Sequence, residues 1–128
     1  MTAYLVDTHV LIWSAIHSDR LGTTTRALLA DADADVVASA VSIGEMVIKQ
    51  KLGKLHLPTT PLQIVRDLTL VALALTGTHA QEVANLPPHH GDPFDRWLIA
   101  QARVEKRVLI SADTAFAKYD VEAIDPRN

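Results

Sequence analysis

The chain contains no cysteine, and its 128 residues include only two Trp, two Tyr and two Phe. Without cysteine there is no disulfide framework, thiolate nucleophile or thiolate zinc site, and a reducing compartment, the cytoplasm, is the expected setting. So few aromatics leave a thin stacking surface for a binder that reads single-stranded bases on rows of rings. No run approaches the roughly 20 apolar residues that a membrane helix needs. The apolar start before Asp7 carries no early Lys or Arg, so neither a leader peptide nor a membrane partner is expected. Positive charge is not in excess either: 12 Lys and Arg face 15 Asp and Glu, a formal net charge of −3. A polybasic surface for nucleic acid is therefore not expected.

What is present is a 48% apolar composition in a length typical of one domain, roughly 100–150 residues. A single domain over residues 1–128 is expected. β-rich runs at residues 4–6, 36–38, 71–75, 108–110 and 121–124 alternate with segments whose apolar spacing is near 3.6. That alternation is the pattern of a βαβ series and a parallel sheet. Helix starts and stops are legible between them. A helix over 8–16 follows the first strand directly, and Leu28 with Leu29 mark a second that ends near Ala32. Ser42 opens a third, stopped by Gly53, and Thr60-Pro61 opens a fourth with Pro at the first helical position. A fifth spans 78–86 and is closed by Pro87-Pro88. Asp92-Pro93 opens a sixth that ends in basic residues near Arg107, as the helix dipole favours. A turn after Asp113 returns Phe116 to the core. The expected fold class is α/β, with helices on both faces of a small, mostly parallel sheet.

A subset of the acids falls at equivalent places in this scheme. Asp7 ends the first strand, and Asp113 lies three residues past the end of the fourth. Glu45 is expected in the first turn of the third helix, while Asp92 and Asp95 open the sixth. In an open parallel sheet the strand C-termini and the helix N-termini after them share the edge where ligands bind. Several carboxylates would then face one crevice. A structural role is also open to most of them: Ser42 and Glu45 have capping-box spacing, Asp92 precedes Pro93, Asp95 suits the dipole, and Asp113 precedes a turn. Asp7, at the edge of a buried strand, fits capping least. The two roles are compatible, because a helix N-terminus keeps a carboxylate ionised, as a metal ligand must be. Gathered carboxylates take up protons or cations. An all-oxygen set favours Mg²⁺ or Mn²⁺ over zinc and suits phosphate chemistry.

At these residues the chain resembles a known family. Tyr4-Leu5-Val6-Asp7-Thr8-His9, Ser39-Ala40-Val41-Ser42-Ile43-Gly44-Glu45-Met46, Gly91-Asp92-Pro93-Phe94-Asp95-Arg96 and Leu109-Ile110-Ser111-Ala112-Asp113-Thr114 resemble the successive motifs of PIN domains, in particular those of VapC toxins from toxin–antitoxin pairs. The resemblance spans nearly the whole chain in the family's order. It implies a three-layer α/β/α fold and a ribonuclease in which Asp7, Glu45, Asp95 and Asp113 form an acidic quartet holding one or two Mg²⁺ or Mn²⁺ ions. It also implies Asp92 as a helix cap beside the site and Ser111, where the family has Thr or Ser, as a hydroxyl orienting a ligand or water. Further implications are an RNA substrate such as tRNA or ribosomal RNA, a VapB-like antitoxin that covers the site, and a homodimer.

The remaining features are less specific. Six histidines, at 9, 17, 56, 79, 89 and 90, show no zinc-ligand spacing and are expected on the surface or in loops; His89 and His90 adjoin the crevice. Lys49, Lys51 and Lys54 end the third helix, where they complement its dipole or border an RNA path. Arg96 can pair with a carboxylate or a phosphate. Trp13 and Trp97 suit core or interface positions. The same resemblance implies that Leu11, Ile12 and Leu21 could offer apolar surface to a dimer or antitoxin, while burial in the monomer explains the same residues. Two other classes remain open: a magnesium-dependent phosphatase, although Asp7-Thr8-His9 lacks its Asp-x-Asp pair, and a non-catalytic PIN-fold protein that binds RNA or a partner. The net charge excludes none of these. With the four acids set aside, 12 basic side chains face 11 acidic ones.

Overall fold

Alternation along the strands decides the layers. In the computed structural model, which describes residues 1–88 and 91–128, β1 (Ala3–Val6), β2 (Asp35–Ser39), β3 (Val71–Leu73), β4 (Val108–Ile110) and β5 (Ala123–Ile124) form one sheet in the order β3-β2-β1-β4-β5. Every pairing is parallel. Leu5, Val37 and Leu109 turn to one face and join Leu98, Ile99 and Phe116. Val6, Val36, Ala38 and Ile110 turn to the other and join Val10, Leu11, Met46, Ile64 and Val65. Both faces are thus apolar, as a parallel sheet covered on two sides requires, and a one-residue slip would exchange the two sets.

The helices that cover the sheet are α1 (Thr8–Ala15), α2 (Thr23–Ala30), α3 (Ala40–Lys51), α4 (Pro61–Asp67), α5 (Gly77–Glu82) and α6 (Pro93–Glu105). This is the expected three-layer α/β/α fold. The chain builds outward from β1 through β2 to β3, then returns to place β4 on the free side of β1. The reversal makes β1 and β4 the switch point, where a crevice opens beyond the strand C-termini. Among the described residues no helix is long and apolar enough to cross a membrane.

Several boundaries differ from the sequence expectation for physical reasons. α3 starts at Ala40, not Ser42, because Ser39 caps it: its hydroxyl accepts from the Val41 amide at 3.0 Å and donates to Gln101 Oε1 at 2.5 Å. The Ser42–Glu45 capping box does not form, and Glu45 lies in the second turn. α5 is shorter than expected and tightens into a 3₁₀ turn over Val83–Asn85. α4 follows the expectation, with Pro61 at its start and Thr60 Oγ1 accepting from Gln63 N. α3 stops as expected, with Gly53 at φ +73°.

Of the two readings open for Leu11, Ile12 and Leu21, burial in the monomer holds: Leu11 and Leu21 are core residues and Ile12 is half-buried, as α1 and the segment after it pack on the sheet. One expectation about exposure is corrected. His79 is 1% exposed rather than at the surface. Its Nδ1 accepts from the Thr76 amide at 3.1 Å, which leaves Nε2 to face Glu105 at 3.4 Å. Gln101, also buried, donates to Ala74 O and joins α6 to β2 through Ser39. Buried polar groups of this kind persist when hydrogen-bonded.

Candidate functional site

The switch point places Asp7 directly after β1 and Ser111 directly after β4, and the Asp7 amide donates to Ile110 O at 3.0 Å. Asp7 caps α1 through Oδ1, which accepts from Val10 N at 3.2 Å. The capping expected least of this acid therefore occurs, and it uses one oxygen. The other, Oδ2, accepts from the Ser111 hydroxyl at 2.6 Å. Ser111 Oγ in turn accepts from the Asp113 amide at 3.1 Å. One serine thus ties the first acid to the last. Asp113 is exposed and caps the 3₁₀ turn Thr114–Lys118, accepting from Ala115 N. That turn seats Phe116 in the core.

The second arm of the site begins one residue after Asp7. Thr8 is buried, and its hydroxyl donates to Glu45 Oε1 at 2.7 Å while lying 3.0 Å from Ser42 Oγ. A carboxylate only accepts, so the single Thr8 proton belongs to Glu45 and the Ser42 hydroxyl serves the Thr8 oxygen. Glu45 is 5% exposed, and its second oxygen accepts from Lys49 Nζ at 2.6 Å, one turn along α3. The hydrogen bond to Glu45 raises the Lys49 pKa, partial burial opposes it, and the charges of Glu45, Asp92 and Asp95 reinforce the rise. The start of α6 is therefore within electrostatic reach of this lysine. Asp92 caps α6, accepting from Phe94 N at 2.8 Å and Asp95 N at 3.3 Å, and half-buried Asp95 occupies the third helical position.

Burial sets the electrostatics of Asp7. Loss of water raises its pKa, while hydrogen bonds from Ser111, Val10 and His9 and the charge of His9 only partly oppose that rise. A carboxylate stripped of water in this way is stabilised by a nearby cation. Asp7, Asp95 and Asp113 supply hard oxygen donors suited to a divalent ion of the Mg²⁺ or Mn²⁺ kind. Glu45, like Asp7, holds a hydrogen-bond donor on each carboxylate oxygen, and each oxygen keeps a further lone pair for a cation. Among the described residues no three His, Asp or Glu side chains converge in an arrangement able to hold a metal ion.

The neighbouring features fall out as follows. The Arg96 guanidinium donates to Pro87 O at 3.1 Å and approaches Leu86 O and Val83 O, bracing the segment before α6. Lys51 and Lys54 are exposed at and beyond the end of α3. His89 and His90 lie outside the described residues. Trp13 is in the core, and Trp97 packs against the other cluster with Phe94 edge-on to it. Two cavities, of about 390 and 330 Å³, flank Ser14 and His17 between α1, α2 and α4, and none of the four acids lines either. Thr8 and Lys49 were not singled out for the roles they play here. The spacing of Lys49 from Glu45, four residues on a helix, was the available signal.

A doubly wound parallel α/β fold with carboxylates at its switch point defines the class. Within it, the family model for the PIN domain matches residues 4–122, and the chain belongs to the PIN-domain family. No curated protein matches it significantly. Among solved structures, the fold resembles a chain of DNA-bound VapBC from Salmonella typhimurium, with 14% identity, TM-score 0.74 and coverage of 98% of this chain and 99% of that one. It also resembles VapBC2 of Rickettsia felis bound to a promoter fragment, with 12% identity, TM-score 0.74 and coverage of 97% and 98%. A third is the VapBC-5 toxin–antitoxin member from Mycobacterium tuberculosis, with 20% identity, TM-score 0.61 and coverage of 98% and 99%.

Proposed function

We propose that this PIN domain is the VapC-type toxin of a toxin–antitoxin pair, a metal-dependent endoribonuclease acting in the cytoplasm on an RNA such as tRNA or ribosomal RNA. The observation that carries the reading is Asp7: a buried carboxylate at the switch point, coupled by Ser111 to Asp113 and by its neighbour Thr8 to Glu45. One or two Mg²⁺ or Mn²⁺ ions, held by Asp7, Asp95 and Asp113 with Glu45 as the fourth acid, would supply Lewis-acid activation of water and neutralise charge at the phosphodiester. The chain's own residues orient that chemistry. Ser111 fixes the Asp7 oxygen, Asp92 fixes the start of α6 and hence Asp95, and Arg96 braces the preceding segment. Lys49 and Lys51 border the path of the RNA backbone. The domain is a single unit over residues 1–128.

The toxin–antitoxin complexes among the similar folds support a VapB-like antitoxin as partner. Support for a homodimer comes from the outer side of α3, where Val47, Ile48 and Leu52 are exposed together. To test the function, the protein is incubated with tRNA and total RNA in Mn²⁺ or EDTA, beside Asp7→Ala and Asp95→Ala. Internal cleavage is expected in Mn²⁺ only, and in neither variant. Cleavage that persists in EDTA or in both variants contradicts the reading. Hydrolysis of a phosphomonoester alone favours a phosphatase, and RNA binding without cleavage favours a non-catalytic PIN fold.

A further inference from the structure

The first turn of α1 leaves one side chain open to solvent. Thr8 turns inward to Glu45, and Val10 and Leu11 enter the core, while His9 is exposed. The His9 amide donates to the Asp7 carboxylate, and the imidazole is near enough for its charge to act on that acid. One turn further along, Trp13 stands beside it: the two rings lie 6.0 Å apart, tilted by 52°, within the range of aromatic pairs. Trp13 is seated in the core with Val10 and Leu11, so the imidazole leans on a buried ring and still meets solvent. The chain's other rings are not open in this way. Phe116 and Tyr119 are buried, Tyr4, Phe94 and Trp97 are half-buried, and Phe94 and Trp97 pack edge-on against each other beside the core. His9 is thus the exposed ring adjoining Asp7.

We propose that His9 is a base platform: its imidazole, backed by Trp13, stacks on one unpaired nucleobase next to the phosphodiester that the acids address. This rests on the nuclease reading above and names what the site grips on its RNA. Histidine is among the rings on which proteins stack splayed-out bases, and every base has a π-face to offer. Charge favours a base over a phosphate at this position. His9 adjoins the Asp7 carboxylate, to which Asp113 is joined through Ser111; these acids repel a phosphate that no cation accompanies, whereas a neutral base meets no such repulsion. A single platform also suits a chain with so few aromatics: one base is gripped, not a row.

The test pairs the missing ring with a missing base. Wild type, His9→Ala and His9→Phe are given RNAs copied from a site that the protein cuts in tRNA or total RNA, with one abasic nucleotide walked across that site. kcat and KM are measured in Mn²⁺, and affinity by fluorescence anisotropy in EDTA, where no cleavage is expected. For wild type, an abasic nucleotide at one position beside the cut is expected to weaken affinity and raise KM about tenfold, the loss of one stacked base. His9→Ala shows the same loss on intact RNA and no further loss at that position, because both changes remove one contact. His9→Phe keeps the wild-type affinity and the sensitivity to the abasic nucleotide, which a role for imidazole charge or proton transfer does not allow. Three results overturn this inference and leave the nuclease reading standing: a wild type indifferent to the abasic nucleotide at every position, a His9→Ala protein still sensitive to it, or a His9→Phe protein as weak as His9→Ala. A wild type that cuts no RNA overturns the nuclease reading together with the inference.

Discussion

Asp7 is a buried carboxyl group held by hydrogen bonds from Ser111, Val10 and His9, and its raised pKa makes it a source of instability in the metal-free protein. The folded state binds this proton more tightly than the unfolded chain does. The Asp7 contribution to stability therefore falls as pH rises from the ordinary value of 3.8 through the raised folded value. Asp7→Asn keeps an acceptor for Val10 N and removes the charge, so in EDTA at pH 7 it should melt a few degrees above the wild type, with the gain shrinking as pH approaches 4. Thermal denaturation at several pH values checks this, and a lower Tm for the variant at pH 7 contradicts it. Ser111→Ala removes the 2.6 Å bond to Asp7 and the acceptor for Asp113 N. A hydrogen bond to a charged group contributes about 1.5–3 kcal/mol, so RNA cleavage should fall by roughly tenfold or more while near-native Mn²⁺-free folding is retained by circular dichroism. Ser111→Thr should restore most of the rate.

At the scale of the element, helix ends carry the testable consequences. α2 has Gly22 as its N-cap and no side-chain cap; the main-chain oxygen of Asn128 accepts from Thr25 N instead, at 3.2 Å. A Cβ at Gly22 would lie 2.1 Å from that oxygen. Gly22→Ala must therefore displace segment 126–128 from α2, and a loss of about 1–3 kcal/mol in urea unfolding is expected, within the ordinary range for overpacking. At the other kind of end, Lys106 closes α6 at φ 54°, a left-handed position. Lys106→Gly should relieve strain of about 1 kcal/mol and leave RNA cleavage unchanged. The same ends show what the sequence discloses. Pro61 and Gly53 mark boundaries by covalent constraint, so α4 opens and α3 stops where expected. Ser39 and Ser42 are equally good caps by residue type, and only the bond from Ser39 to Gln101, 62 residues away, decides between them. His79 is the same case, since its burial depends on Thr76, Gln101 and Glu105 meeting around it.

For the whole molecule, the sheet and the placement of Asp7 and Ser111 were legible because short apolar runs end in polar residues at the strand C-termini. The connections within the site were not. Lys49 has the spacing of a helix-surface ion pair, and nothing local discloses that Glu45 is buried beneath it or that Thr8 of α1 holds the other oxygen. The exposed apolar side of α3 is a property of the assembled chain as well. Leu52, 62% exposed, with Val47 and Ile48, should be covered in a homodimer, and Leu52→Glu with Val47→Glu should shift light-scattering mass from two chains to one; an unchanged mass places the dimer face elsewhere. On the proposed function, a divalent ion at Asp7 drives RNA cleavage. Its most direct test is the initial rate of internal cleavage of a labelled RNA as Mn²⁺ is titrated, for wild type beside Asp7→Asn. The expected rate saturates with Mn²⁺, vanishes in EDTA and falls at least about a hundredfold in the variant; an undiminished rate in EDTA or in Asp7→Asn rules out the metal at Asp7 as its driver.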